Sequence, residues 1–325
     1  MNIVPNNKLL ALAMTTGVLA LVSLVIRDTY SSSLVTWMAI AALAATSLRF
    51  VSLIGELNFA MAAFYGLAAY GAGAAATLLK WPFALALLAG AAVALLASAV
   101  FGYITLKTKG PYFLLIGFAF TEVMRIIYTR SDWLGGNSGM VGIFPPLLFG
   151  AYFSTFVVLL CGAMIVLLYA IERSDLGKVF TAIRDNDDVV LSVGINVHMV
   201  KVACFCIGSF AAGIAGALHG FANNVISPGD FGFMLSTFAL AYMKVGGEDS
   251  PYGPVTGAVL LVGLASAATR VGAGEHVFYG AAIVLAVLLM PKGIVGVAAR
   301  FLPTGRSAKA PAAALATTEE GKSHG

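Results

Sequence analysis

An all-α, polytopic membrane fold is what this sequence predicts, on three observations. The first is composition: of 325 residues, 60% are hydrophobic and only 10% are charged, with a mean hydropathy of +0.93. A water-soluble domain of this length needs far more charge to cover its surface. The second is run length. Leu9–Ile26 and Phe83–Leu106 carry no charge, and about 18–20 apolar residues cross a bilayer as a helix. The third is the sidedness of the charges, taken up below.

The spans read, in order, as 9–26, 33–48, 57–79, 83–106, 111–128, 148–171, 201–221, 233–246, 254–269 and 277–290. The first follows Lys8 and has the outline of a signal peptide. Its apolar run is longer than the roughly 7–15 residues of a signal core, and no small-residue cleavage site follows promptly, so it reads as a retained helix. With the N-terminus in the cytoplasm, ten spans leave only Arg27, Lys80, Arg125, Arg130 and Arg270 outside or at outer helix ends, among 19 basic residues. That bias predicts cytoplasmic termini on both sides of about ten helices, some of them interrupted.

Small residues concentrate in Tyr65–Ala76 and in Ala211–Gly220, the second holding a Gly216-x-x-x-Gly220 pair. In lipid such residues let helix backbones approach closely, so these stretches are expected at helix–helix contacts. Two turn-rich segments, Gly135–Pro146 and Asn223–Gly232, interrupt the apolar pattern. Both read as extracytoplasmic loops; the second is alternatively a re-entrant break, which needs cover from protein or a water-filled cavity.

Polar groups inside the spans are few and are the candidates for a translocation path: Glu56, Asn58, Glu122, Arg125, Asn223 and Asn224. Glu122 and Arg125 lie three apart, on one helix face, where they can pair. Asn58 sits where the third span starts, as a cap or a path-lining amide, with Glu56 favouring the positive end of that helix. The histidines His198, His219, His276 and His324 are scattered, and no H-E-x-x-H or G-x-S-x-G pattern appears. Cys161, Cys204 and Cys206 lie inside apolar spans and read as small buried thiols. Gly321-Lys322-Ser323 lacks the glycine a phosphate-binding loop needs five residues earlier, where Ala316 stands. No enzyme, metal site or cofactor is therefore expected in this chain.

Glu172–Val197 is a polar island. Leu176, Val179, Phe180 and Ile183 fall at i, i+3, i+4 and i+7, one apolar stripe on a short helix that Ser174 or Asp175 can cap. Asn186-Asp187-Asp188 reads as the capped start of a second segment. Arg173, Lys178 and Arg184 face Glu172, Asp175, Asp185, Asp187 and Asp188, so the segment is net acidic although it lies on the cytoplasmic side. A loop kept only for topology would be basic, and this one exceeds what a connection requires. A cytoplasmic protein partner explains it better than an interfacial helix does. Residues 303–325, rich in Pro, Ala and Thr without periodicity, read as a disordered tail after a transmembrane domain of 1–302.

Six stretches in this order resemble the permease subunits of branched-chain amino-acid ABC transporters, of the LivM type: Gly55–Ala72, Leu106–Ile127, Asp132–Ile143, Ser174–Val197, Phe210–Phe233 and Val245–Leu261. The chain departs from the usual family pattern at Glu56, Asn58 and Phe59-Ala60-Met61. The resemblance implies a bacterial inner-membrane importer subunit working with a second permease, two cytoplasmic ATPases and an extracytoplasmic solute-binding protein. It also implies that the loop 172–200 holds a coupling helix, with Leu176, Gly177, Val179, Phe180, Ile183, Arg184 and Asp187 serving the ATPase. Relatives carrying urea or short amides give an alternative substrate class. A self-contained secondary transporter is the alternative mechanism, and would show an isolated coupling carboxylate and matched broken helices.

Overall fold

The computed structural model describes residues 28–108, 110–146 and 150–270, together with Gly17 and Gly280. The first and last expected spans, 9–26 and 277–290, and the tail 303–325 lie outside the described residues. The helices are α1 (Thr29–Ser52), α2 (Met61–Thr77), α3 (Phe83–Thr105), α4 (Pro111–Arg130), α5 (Phe153–Arg173), α6 (Asp175–Asp185), α7 (Asp187–Ser192), α8 (Val197–Asn223), α9 (Phe233–Gly246) and α10 (Gly253–Arg270). Eight of them match expected spans; α6 and α7 are the polar island. Among the described residues, five helices (α1, α3, α4, α5 and α8) are long and apolar enough to cross a membrane.

A helix that is apolar on every side belongs in the middle of a bundle. That is the place of α2, whose Ala/Gly-rich sequence is buried around nearly its whole circumference. It packs against α3 and α8 at backbone distance. A Cβ on Gly90 of α3 would meet the carbonyl oxygen of Ala68, and one on Gly216 of α8 would meet that of Tyr65. The small-residue stretches are thus contacts between backbones, as their composition predicted. The opposite faces of α3 and α4 expose Leu85, Leu96, Val100, Leu115 and Ile126, side chains suited to lipid.

The helix ends meet in two groups, one at each end of the bundle. Arg49 at the end of α1, Glu172 at the end of α5 and Glu248 after α9 meet at one end. At the other end, Tyr30 at the start of α1 bonds Ser266 near the end of α10, and Ser32 bonds Ser154 at the start of α5.

The two turn-rich segments pair with each other. Met140–Val141 (β1) runs antiparallel to Val225–Ile226 (β2), with Met140 opposite Ile226 and Val141 opposite Val225. Gly139, at φ +77°, has no room for a Cβ beside the Ile226 carbonyl. Asn224 leaves α8 in the left-handed region, and its carbonyl accepts from the amides of Gly142 and Ile143. A 3₁₀ turn, Pro228–Phe231, follows, closed by a Ser227/Asp230 capping box. It drives Phe231, fully buried, between Tyr65, Tyr70, Tyr128 and His219. Residues 223–232 are therefore seated on the bundle by Ile226, Pro228 and Phe231, which are buried, while Val225, Gly229 and Asp230 stay exposed.

Candidate functional site

Three of the expected path residues turn out to belong to a system of caps passed between helices. Helix starts leave amide N–H groups without partners, a serious cost where water is absent. Glu56 is buried and its Oε2 accepts from the Gly110 amide at 3.2 Å, just ahead of α4, rather than serving α2 as the sequence suggested. The start of α2 is served instead by Ser236 of α9, whose Oγ accepts from the Ala62 amide at 3.1 Å and donates to the Phe59 carbonyl at 2.9 Å. Glu122 of α4 in turn accepts at Oε1 from the Phe233 amide, the first of α9, at 3.2 Å, while Arg125 Nε holds its Oε2 at 2.7 Å. The Glu122–Arg125 pair is real, and it fastens α4 to the start of α9. Asn58 caps nothing: the α2 N-cap is Ala60, and the Asn58 Oδ1 is buried without a hydrogen-bond partner.

Asn223 and Asn224 part company. Asn224 shapes the exit from α8, whereas Asn223 Nδ2 lies 3.1 Å from His219 Nε2, one turn back on the same helix. The other ring nitrogen, Nδ1, lies 2.9 Å from the Tyr65 hydroxyl of α2, and Trp37 of α1 meets the ring edge-on at 4.8 Å. Tyr65 and Trp37 form part of the wall of a cavity of about 490 Å³ between α1, α2, α9 and α10. The sequence reading missed His219, Tyr65 and Trp37. Its one available signal was the i, i+4 spacing of His219 and Asn223; the rest is tertiary.

The polar island folds as a helical hairpin at the Arg49 end of the bundle. Phe180 and Ile183 of its stripe face inward. Phe180 is 1% exposed and meets Phe50 of α1 edge-on at 5.9 Å, and Ile183, 2% exposed, packs with Val190 and Val197. Gly177 is tight against the Glu172 carbonyl, which no larger residue permits. Asp187 reaches back to the buried Lys201 of α8 at 3.1 Å, and Arg184 lies over Gly55. The expectation that Phe180 and Ile183 form the partner-facing surface is thus corrected: burying them is what fixes α6 to the bundle. Leu176, at 56% exposure, and Val193, at 74%, are left outside with Val189 and Leu191. Ser174 is the α6 N-cap by position only, since its hydroxyl donates to the Ile171 carbonyl instead. Asn186 caps α7 as expected, accepting from the Asp188 amide at 2.9 Å. Exposed Asp175, in the first turn of α6, is held below the usual carboxylate range by its hydrogen bond from Lys178.

Beneath the hairpin, Arg49 is 5% exposed and grips both Glu172 oxygens at 2.7 and 2.8 Å, with its Nε on the Glu248 carbonyl. Removing one partner of such a pair strands the other's charge. Glu172→Ala is expected to cost about 3–5 kcal/mol, seen as a lowered denaturation midpoint of the purified chain. Arg49→Met with Glu172→Leu should restore part of it, and an unchanged midpoint for Glu172→Ala would sink the assignment.

A family profile described as "Branched-chain amino acid transport system / permease component" matches residues 30–290. Among individual proteins, the chain is similar to the high-affinity branched-chain amino-acid transport system permease protein LivM of Escherichia coli (strain K12), 26% identical over 61% of this chain and 54% of that protein. LivM of Salmonella typhimurium is 27% identical over 75% of this chain and 64% of that one. BraD of Pseudomonas aeruginosa, a permease of the same description, is 27% identical over 75% of this chain and 87% of its own length. The chain thus spans between half and two thirds of the two LivM proteins. No solved structure matches it. With a profile covering most of the chain, on a bundle of apolar helices, this multi-pass membrane protein belongs to the permease components of branched-chain amino-acid transport systems.

Proposed function

We propose that the chain is the transmembrane permease subunit of an ATP-driven importer for branched-chain or chemically related amino acids, in a bacterial inner membrane. Its permease domain covers residues 1–302, with about ten spans and both termini cytoplasmic. It forms the path with a second permease, receives substrate from an extracytoplasmic binding protein, and is driven by two cytoplasmic ATPases through the hairpin 172–200. The observation that carries this reading is the hairpin itself: a rigidly seated pair of short helices whose inner face is spent on the bundle while Leu176, Val189, Leu191 and Val193 stay exposed. In such a design Leu176 makes contact with the ATPase, whereas Gly177, Val179, Phe180, Ile183, Arg184 and Asp187 hold the hairpin so that it moves as one body with α5 and α8.

The test is reconstitution of the complete assembly in proteoliposomes loaded with ATP, with binding protein and labelled leucine supplied outside. Uptake that requires ATP and both ATPases is the expected result. Uptake by this chain alone under an ion gradient would overturn the proposal in favour of a secondary transporter. ATP-driven uptake of urea or acetamide in place of leucine would move the substrate class.

A further inference from the structure

The 490 Å³ cavity has the size of a small-molecule site, which commonly falls between about 300 and 1,000 Å³. Its described wall is mostly apolar and aromatic, with Trp37, Leu235 and Phe238 among its members and no Asp, Glu, Lys or Arg; its polar groups are the hydroxyls of Tyr30, Ser33, Tyr65, Tyr242 and Ser266. A wall of that kind suits a compact aliphatic group and, at aromatic faces, an ammonium. It offers a carboxylate no cation, only those hydroxyls, of which Tyr30 and Ser266 are bonded to each other.

The His219 network gives one of them, Tyr65, a fixed direction. An amide NH₂ only donates, so the Asn223 Nδ2 contact makes His219 Nε2 the acceptor. The ring is then neutral with its proton on Nδ1, and Nδ1–H donates to the Tyr65 oxygen. Tyr65 accepts there and keeps its own hydroxyl proton to give away. Donation runs one way, from Asn223 through His219 to Tyr65, and each bond polarises the next. Trp37 against the ring edge and Phe231 behind it hold the imidazole in this orientation.

We propose that this cavity is an intramembrane transit site within the single chain, for a zwitterion with a short branched aliphatic side chain, and that Tyr65 donates its hydroxyl hydrogen bond to the ligand carboxylate. Trp37, Phe238 and Tyr242 take the aliphatic and ammonium parts; His219 and Asn223 are positioning residues that fix the direction of the Tyr65 proton. The proposal rests on the import reading above but has its own test.

The full-length chain with Trp81→Phe and Trp133→Phe, in lipid nanodiscs, leaves Trp37 as its fluorophore. Leucine is expected to change Trp37 emission saturably. Tyr65→Phe should weaken that binding on the order of tenfold, the usual effect of losing a hydrogen bond to a charged group. 3-Methylbutylamine, which is leucine without its carboxylate, should bind both forms alike and about as weakly as leucine binds Tyr65→Phe. If Tyr65→Phe weakens leucine and the amine equally, Tyr65 is only structural and the proposal falls. It falls too if leucine leaves Trp37 unchanged. Should the complete assembly still take up leucine with ATP in that case, only the site is lost and the import reading stands.

Discussion

Gly216→Leu is expected to abolish the folded protein, leaving no monodisperse peak when the full chain is extracted in mild detergent, while Gly220→Ala leaves the peak unchanged. The two glycines form one sequence motif but do different work. A Cβ on Gly216 falls on the Tyr65 carbonyl oxygen of α2, a backbone atom that cannot swing aside. A Cβ on Gly220 finds its nearest neighbour, a side-chain methyl of Ile226, at 3.4 Å. Ordinary overpacking costs about 1–3 kcal/mol because side chains give way. Here α2 and α8 themselves must part, and with them the contacts of α3 on both. In lipid, where apolar surface gains little from leaving the solvent, those close contacts are what hold the helices together. A normal elution profile for Gly216→Leu would show that the α2–α8 contact is not what closes the core.

The helices were legible because their signal is local. The eight described spans lie within five residues of those read from run length and turn residues, and one of the revisions has a plain local cause. α8 starts at Val197 rather than 201 because Asn196 caps it, accepting from the Met199 amide at 3.1 Å. The exits and entries were less legible because their partners are remote in sequence. Glu56 and Glu122 were visible as polar residues in apolar surroundings and Ser236 was passed over, and which helix start each one serves depends on packing. The pairing of Met140–Val141 with Val225–Ile226 depends on it in the same way. The apolar stripe of α6 was read with the right period and the wrong audience: periodicity shows that a face is buried, not whether the chain itself or a partner buries it. His219 looked isolated for the same reason, since Tyr65 and Trp37 reach it from two other helices.

The hairpin gives the other large effect. Leu176→Asp combined with Val193→Asp is expected to remove the ATPases from the purified assembly and to cut ATP-driven uptake at least about tenfold, with the chain itself as stable as before. Both side chains stand in the open, at 56% and 74% exposure, so an aspartate at either place meets no wall of its own fold. Against an apolar ATPase surface the same carboxylates must be buried unpaired, and centrally placed interface residues commonly carry about 2 kcal/mol or more each. Phe180→Ala is the contrasting variant. It empties a fully buried position against Phe50, at a cost of about 3–5 kcal/mol, so it should lower thermal stability first and uptake as a consequence. The two variants therefore separate contact from support. If Leu176→Asp/Val193→Asp keeps its ATPases and its uptake, the partner does not dock on this face, and the hairpin is only a brace between α5 and α8. If the pair loses its ATPases at unchanged stability, ATPase closure is transmitted through a surface the bundle leaves open, and Arg49–Glu172 and Lys201–Asp187 are the ties that carry it into the spans.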